Sequence, residues 1–220
     1  RLRSGGNKAE TPARSCVESP RVQRRTRGRR KRSKAGEPGG AVLVVRNGEV
    51  IFSKGYGVSD IHTREAITPK TLFNVGSISK TFVAYGILNL ASEKKISLED
   101  PIGKYFPGFK NPAIGQQVKI YHLLTHSSGL PDNRRVQEDS IFYLTAKDAE
   151  NWAPILQNDT LHFPPGTRFE YSNPAFNGLA LIIEQVTKQK WQDYIRNLIF
   201  QPAGMKRSVI TDGPFPEKGV

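Results

Sequence analysis

Ser77-Ile78-Ser79-Lys80 sets a hydroxyl and an amine three residues apart. On a helix that spacing shares one face, so the amine can reach the hydroxyl. A serine at a helix N-terminus also lies beside free N–H groups and the positive end of the helix dipole. Those groups can stabilise the oxyanion formed when the hydroxyl attacks a carbonyl. The amine must be neutral to accept the hydroxyl proton, and a dry surrounding favours that form. Phe73, Phe82 and Val83 supply apolar neighbours. The bland alternative is a serine cap with a surface lysine. The pattern recurs at Ser92-Glu93-Lys94-Lys95, on the polar end of the same stretch, where it reads as a solvated helix end.

Tyr171-Ser172-Asn173 is the only Y-x-N among the seven tyrosines. A phenol beside an ammonium ionises more easily and can relay a proton. The Asn173 amide offers a donor and an acceptor, suited to a substrate amide. The alternative is that Asn173 caps the following helix and Tyr171 is packing.

Particular elements have to position these groups. Phe82, Val83, Tyr85, Ile87, Leu88, Leu90 and Ala91 lie around most of the circumference of a helix from about Ser77 to Glu93. Apolar on nearly all sides, that helix is expected to be central and buried. Upstream, Ala41-Val42-Leu43-Val44-Val45-Arg46 and Glu49-Val50-Ile51-Phe52-Ser53-Lys54-Gly55-Tyr56 flank Asn47-Gly48. That pair suits both corners of a type I′ turn, so residues 41–56 predict a hairpin. Residues 57–76 and 94–117 read as loop, the second marked by Pro101, Pro107, Gly108 and Pro112. A short helix over Ile120–His126 stops at Ser127-Ser128-Gly129-Leu130-Pro131. Residues 140–158 suggest further helix without clear bounds. After the Phe163-Pro164-Pro165-Gly166 turn, Thr167 to Tyr171 is extended and Pro174 opens a helix at its first position. Trp191, Tyr194, Ile195, Leu198 and Ile199 then line one face of a last helix.

The order of these blocks resembles one family. Ser77-x-x-Lys80, then Leu123-Leu124-Thr125-His126-Ser127-Ser128-Gly129-Leu130-Pro131, then Phe163-x-Pro165-Gly166 and Tyr171-Ser172-Asn173 are similar to the class C β-lactamase and D-alanyl-D-alanine carboxypeptidase family with its esterase members. The hairpin and Gly55-Tyr56-Gly57 also look like that family's opening, and the resemblance covers about residues 39–212. The long L-L-T-H-S-S-G-L-P string and the F-x-P-G to Y-S-N block are far more specific than S-x-x-K. The resemblance implies an α/β (α+β) fold with helices packed on an antiparallel sheet. It implies that Ser77 is acylated, that Lys80 and Tyr171 share the proton transfers, and that Asn173 contacts substrate. It leaves open which of Lys80 and Tyr171 is the acylation base. The implied substrates are a β-lactam, a D-Ala peptide or a small ester, and the implied location is exported. His126 matches a structural position of the family and, as a lone histidine at a helix end, stays outside the candidate set.

Two departures matter. The family's third motif, a Lys or His then a small residue and Gly, normally falls well over 50 residues after Y-x-N. Only 49 residues follow Tyr171, and Glu217-Lys218-Gly219 lacks the middle residue and falls too early. The family's N-terminal helix is replaced by a basic stretch. The chain is therefore expected to hold an incomplete domain, hairpin plus helical region without the C-terminal strands, and to be poorly soluble and nearly inactive.

Composition limits the remaining classes. The formal net charge is +13, but residues 1–40 carry 13 Lys and Arg against three Glu, leaving 20 basic and 17 acidic residues in the other 180. The basicity belongs to a tail over 1–38, poor in core-forming residues and expected to be disordered, ahead of a partial domain over 39–220. Its Arg24–Arg32 run can bind nucleic acid, but no aromatic is interleaved, and a solvated or foreign stretch is the preferred reading. Cys16 is the only cysteine, so no internal disulfide or cysteine-based metal site is available. His62, His122 and His162 have no partner at ligand spacing, and no metal or cofactor is expected. No run of 18 apolar residues predicts a membrane-spanning helix. A non-catalytic binding protein on the same scaffold is the competing class, and loss of Ser77, Lys80 or Tyr171 would favour it. All three are present.

Overall fold

The computed structural model describes residues 36–134 and 146–211. The expected disorder of the basic tail, part of the uncertain helical region and Glu217-Lys218-Gly219 lie outside them. The chain divides into two compact units, Arg1–Phe73 and Asn74–Val220.

In the first unit, β1 (Gly40–Arg46) and β2 (Glu49–Tyr56) pair antiparallel as a two-stranded sheet. Asn47 and Gly48 take φ of 51° and 78°, the two left-handed corners of the expected turn. The register runs from Arg46↔Glu49 to Gly40↔Tyr56. It slips once, because Val44 faces Phe52 while Val45 faces Val50. Ile51 is thus the extra residue of a β-bulge, which the alternation did not announce. Glu37 and Pro38, at the end of the stretch read as tail, pair with Val58. Residues 57–73 are turns and bends, as expected. Asp60 Oδ1 closes one turn by accepting the N–H groups of His62 (2.6 Å) and Thr63 (2.9 Å).

The second unit is helical. A 3-10 turn, Gly76–Ile78, leads into α1 (Ser79–Ser92). After a second 3-10 turn at Ile102–Lys104 come α2 (Pro112–Gln117), α3 (Ile120–Leu124), α4 (Asp148–Leu156), α5 (Asn173–Thr187) and α6 (Trp191–Ile195). The expected starts carry their caps. Ser172 Oγ accepts from Ala175 N at 3.3 Å with Pro174 in the first turn of α5, and His122 Nδ1 accepts from Lys119 N at 3.0 Å at the start of α3.

Four local expectations are corrected. Pro112 opens α2 rather than breaking a loop, because Asn111 caps it by accepting from Ala113 N at 3.1 Å. A proline read as punctuation was a helix start, the other position where its missing N–H costs nothing. The Ile120 helix ends two residues early, at Leu124, because His126 takes a left-handed φ of 55°. The helix α1 buries Val83, Gly86, Ile87 and Leu90 but leaves Tyr85 and Leu88 exposed, so only one face is covered. The last helix does not keep its period. Arg196–Phe200 forms a π turn that leaves Leu198 and Ile199 half-buried and swings Phe200 inward, edge-on to Phe82 at 5.2 Å.

The core centres on α5, which buries Pro174, Ala175, Phe176, Gly178, Leu179, Ala180, Ile182 and Ile183 and packs against α1, α3, α4 and α6. Gly178 makes the α4–α5 approach possible, since a Cβ there would lie 2.7 Å from the Trp152 ring. That packing brings the start of α1 to the start of α5.

Candidate active site

Presentation of the Ser77 hydroxyl begins with a local device. Asn74 Oδ1 accepts the Gly76 N–H at 2.8 Å, and Gly76 adopts φ 52°. A side chain at residue 76 would meet no neighbour, so the glycine is needed for its left-handed backbone and not for space. This turn sets Ser77 in the tight turn ahead of α1, exposed.

The long-range step brings the start of α5 to it. Ser77 Oγ lies 2.7 Å from the Tyr171 hydroxyl oxygen, and Lys80 Nζ donates to Ser77 Oγ at 3.2 Å. Lys80 Nζ also donates to Asn173 Oδ1 at 2.8 Å. The lysine is half-buried, with its ammonium 5.1 Å from the centre of the Tyr171 ring and 5.7 Å from that of Phe176. All four candidates, Ser77, Lys80, Tyr171 and Asn173, thus fall in one hydrogen-bonded cluster. Asn173 does not cap α5. Ser172 does, which frees the Asn173 amide for Lys80.

Partial burial alone would push the Tyr171 phenol up. The Lys80 ammonium and the Ser77 hydroxyl outweigh that and hold it below its ordinary value of 10.0. Tyr171 as a residue is 49% exposed, so solvent reaches the cluster. Chemically the group is a serine with a tyrosine oxygen at hydrogen-bond distance, a lysine that can stabilise the phenolate, and the N-terminal end of a helix beside the hydroxyl. The second S-x-x-K has no such setting. Ser92 Oγ donates to Asn89 O at 2.8 Å and Lys95 pairs with Glu93 at 2.7 Å, both on the surface.

The two long sequence blocks prove to be spatial neighbours. His162 N donates to Gly129 O, Gly166 N to Ser127 O and Glu170 N to His126 O, each at 2.8 Å. His126, which sequence reasoning set aside, stands at the end of this seam. Its Nδ1 accepts the Ser172 N–H at 3.1 Å. Its ring lies 4.5 Å from Tyr171 at 33° and 5.1 Å from Phe176 at 38°. The available signal was its place inside the long motif, with no local chemistry to mark it. Of the remaining histidines, His122 is buried under the cap of α3 and His162 pairs with Glu170 at 2.9 Å. No group of three or more metal-ligating side chains gathers among the described residues. No described helix is long and apolar enough to cross a membrane.

A family model described as Beta-lactamase matches residues 22–220. Protein flp of Staphylococcus aureus is 37% identical over 172 residues, which is 76% of this chain and 34% of that protein. An octameric penicillin-binding protein homologue from Pyrococcus abyssi superimposes with TM-score 0.70 at 32% identity, covering 77% of this chain and 40% of that one. A D-amino acid amidase from Ochrobactrum anthropi superimposes with TM-score 0.65 at 28% identity, over 81% of this chain and 48% of that one. The chain spans about a third of the length of the curated relatives it matches first.

Proposed function

Because the chain belongs to the Beta-lactamase family, we propose that it acts as a serine hydrolase through an acyl-serine intermediate on Ser77. The observation that carries this reading is the contact of Ser77 Oγ with Tyr171 at 2.7 Å and with Lys80 at 3.2 Å. The shorter contact and the depressed phenol favour Tyr171 as the immediate proton acceptor, with Lys80 as the charge that makes its phenolate accessible. In the acylation step Ser77 Oγ attacks the carbonyl carbon and its proton passes to the Tyr171 oxygen. The carbonyl π pair moves onto oxygen, where N–H groups at the helix start stabilise it. Collapse of that intermediate expels the amine or alkoxide, which takes the proton back from Tyr171. Water then repeats the sequence on the acyl-serine and regenerates Ser77.

Asn173 is held by its Oδ1 on Lys80, which leaves its amide N–H groups to contact the substrate. The substrate class is a β-lactam, a D-configured amide or peptide, or a small ester. The solvent-open cluster and the amidase likeness support a small acyl donor. Labelling with a fluorescent penicillin and with a fluorophosphonate, followed by mass spectrometry of the labelled peptide, tests the assignment. In a completed domain the label is expected on Ser77 and is expected to vanish in Ser77→Ala. A label on Ser79 or Ser92, or undiminished labelling of Ser77→Ala, would sink it.

A further inference from the structure

His126 touches residues 170–173, the strap that carries Tyr171 and Asn173, at three points. Its carbonyl accepts the Glu170 N–H at 2.8 Å, and its Nδ1 accepts the Ser172 N–H at 3.1 Å. These are the residues on either side of Tyr171. Between the two bonds the imidazole lies against the Tyr171 ring at 4.5 Å. The backbone of residue 126 is itself left-handed, with φ 55°, which directs both its carbonyl and its side chain at the strap.

An N–H cannot be accepted by a protonated ring nitrogen, so this arrangement requires the neutral imidazole with its proton on Nε2. We infer that His126 is the positioning residue of Tyr171 and Asn173, and that protonating it releases the strap from Ser77 and switches acylation off. The inference rests on the serine-hydrolase reading for its effect on rate, but not for its geometry. The titratable groups facing the ring are Lys80 from α1 and Tyr171 from the strap; Phe169 and Phe176 line the rest. Burial first, and then the Lys80 charge, hold His126 below its ordinary value of 6.5, which keeps it neutral at neutral pH. Below that depressed value it takes a proton from solvent on Nδ1. The Ser172 N–H then faces a donor, and a second cation stands beside Lys80.

Two substitutions separate positioning from packing. Asparagine tolerates the left-handed backbone and offers Oδ1 in place of Nδ1, without titrating. Phenylalanine keeps a ring against Tyr171 but offers no acceptor. The experiment measures the rate of fluorophosphonate labelling of the 220-residue chain between about pH 5 and 8. The wild type is expected to lose rate on the acid side. His126→Asn is expected to lose that acid limb and to label faster than His126→Phe. His126→Phe is expected to drop by on the order of 10²-fold at every pH, as a misplaced group does. An acid limb with unchanged midpoint in His126→Asn overturns the inference, and so does wild-type labelling by His126→Phe. A wild type that is never labelled counts against the hydrolase reading, and nitrogen-15 NMR then decides the inference by itself. The His126 Nδ1 and Ser172 amide signals are expected to titrate together in the wild type, with the Ser172 amide flat in His126→Asn. A proton on Nδ1 at neutral pH, or a Ser172 amide indifferent to His126, overturns it.

Discussion

The hairpin and α5 are written in similar letters and end in different states. Both are rich in Val, Leu, Ile, Phe and Ala. Eight residues of α5 are buried, and around them gather Trp152, Ile87, Leu123 and Ile195, each 2% exposed or less. In the hairpin only Phe52 is buried among the strand residues, while Val42, Leu43, Val44, Val45 and Val50 are all exposed, Leu43 by 62%. The hairpin owes its shape to a two-residue turn and a ladder of backbone bonds, which by themselves make a marginal structure. The helical unit owes its shape to side-chain burial, about 1.5–3 kcal/mol for each fully buried large residue. The site is built on that second unit: the local turn at Asn74 and Gly76 sets Ser77, and packing of α5 against α1 brings Tyr171 and Asn173 to it.

The largest expected effect tests that contrast at its centre. Trp152 fills the space left by Gly178 and packs on Phe106 at 4.9 Å. Trp152→Ala should lower stability by about 3–5 kcal/mol in urea unfolding. A loss under about 1 kcal/mol would show that the α4–α5 contact does not hold the unit together. Gly178→Ala probes the same contact from the other side. Its Cβ would meet the Trp152 ring at 2.7 Å, and overpacking of this kind costs about 1–3 kcal/mol. Tyr171 and Asn173 sit at the start of the same helix, so labelling of Ser77 should fall with it. An unchanged melting temperature would contradict the close approach.

A third effect is graded by pH and separates the helical unit from the hairpin, which holds no histidine. Burial, the larger cause in each case, pushes His122 and His126 below their ordinary value of 6.5. The unfolded chain then binds more protons than the folded one between the depressed values and 6.5. Stability is therefore fully present above 6.5 and lost as pH falls through the depressed values. Urea midpoints should decline on the acid side, and His122→Asn should make the decline shallower while keeping the Lys119 cap. A flat profile, or a decline on the alkaline side, would reverse the sign. The smallest effect is expected in the hairpin. Leu43→Lys should change stability by no more than about 0.5 kcal/mol, as exposed substitutions do. A loss of several times that amount would mean that this apolar face is covered in solution, and the contrast between the two regions would fail.

Much of the local structure was legible because short-range sterics decide it. Asn47-Gly48 closes the hairpin through two left-handed corners, Pro174 sits in the first turn of α5, and Ser77 and Lys80 lie three residues apart on adjoining helical turns. Where a local cue has two meanings, the reading failed. Pro112 can break a loop or open a helix, and only the Asn111 cap chose the second. The π turn at Arg196–Phe200 was invisible because the apolar pattern fits an ordinary helix, and the demand that moved Phe200 against Phe82 comes from another element.

Residue types and order were enough to nominate Ser77, Lys80, Tyr171 and Asn173, since each carries chemistry that its neighbours lack. What they could not supply was the contact itself. Ser77 and Tyr171 are 94 residues apart in sequence and 2.7 Å apart in space, and no local preference spans that interval. Packing of α5 against α1 closes it, and the seam between His126–Gly129 and His162–Glu170 sets the strap at its final angle. His126 had no reactive signature of its own. Its part depends on a ring nitrogen meeting the backbone N–H of a residue 46 positions away, a relation that exists only once the chain has folded.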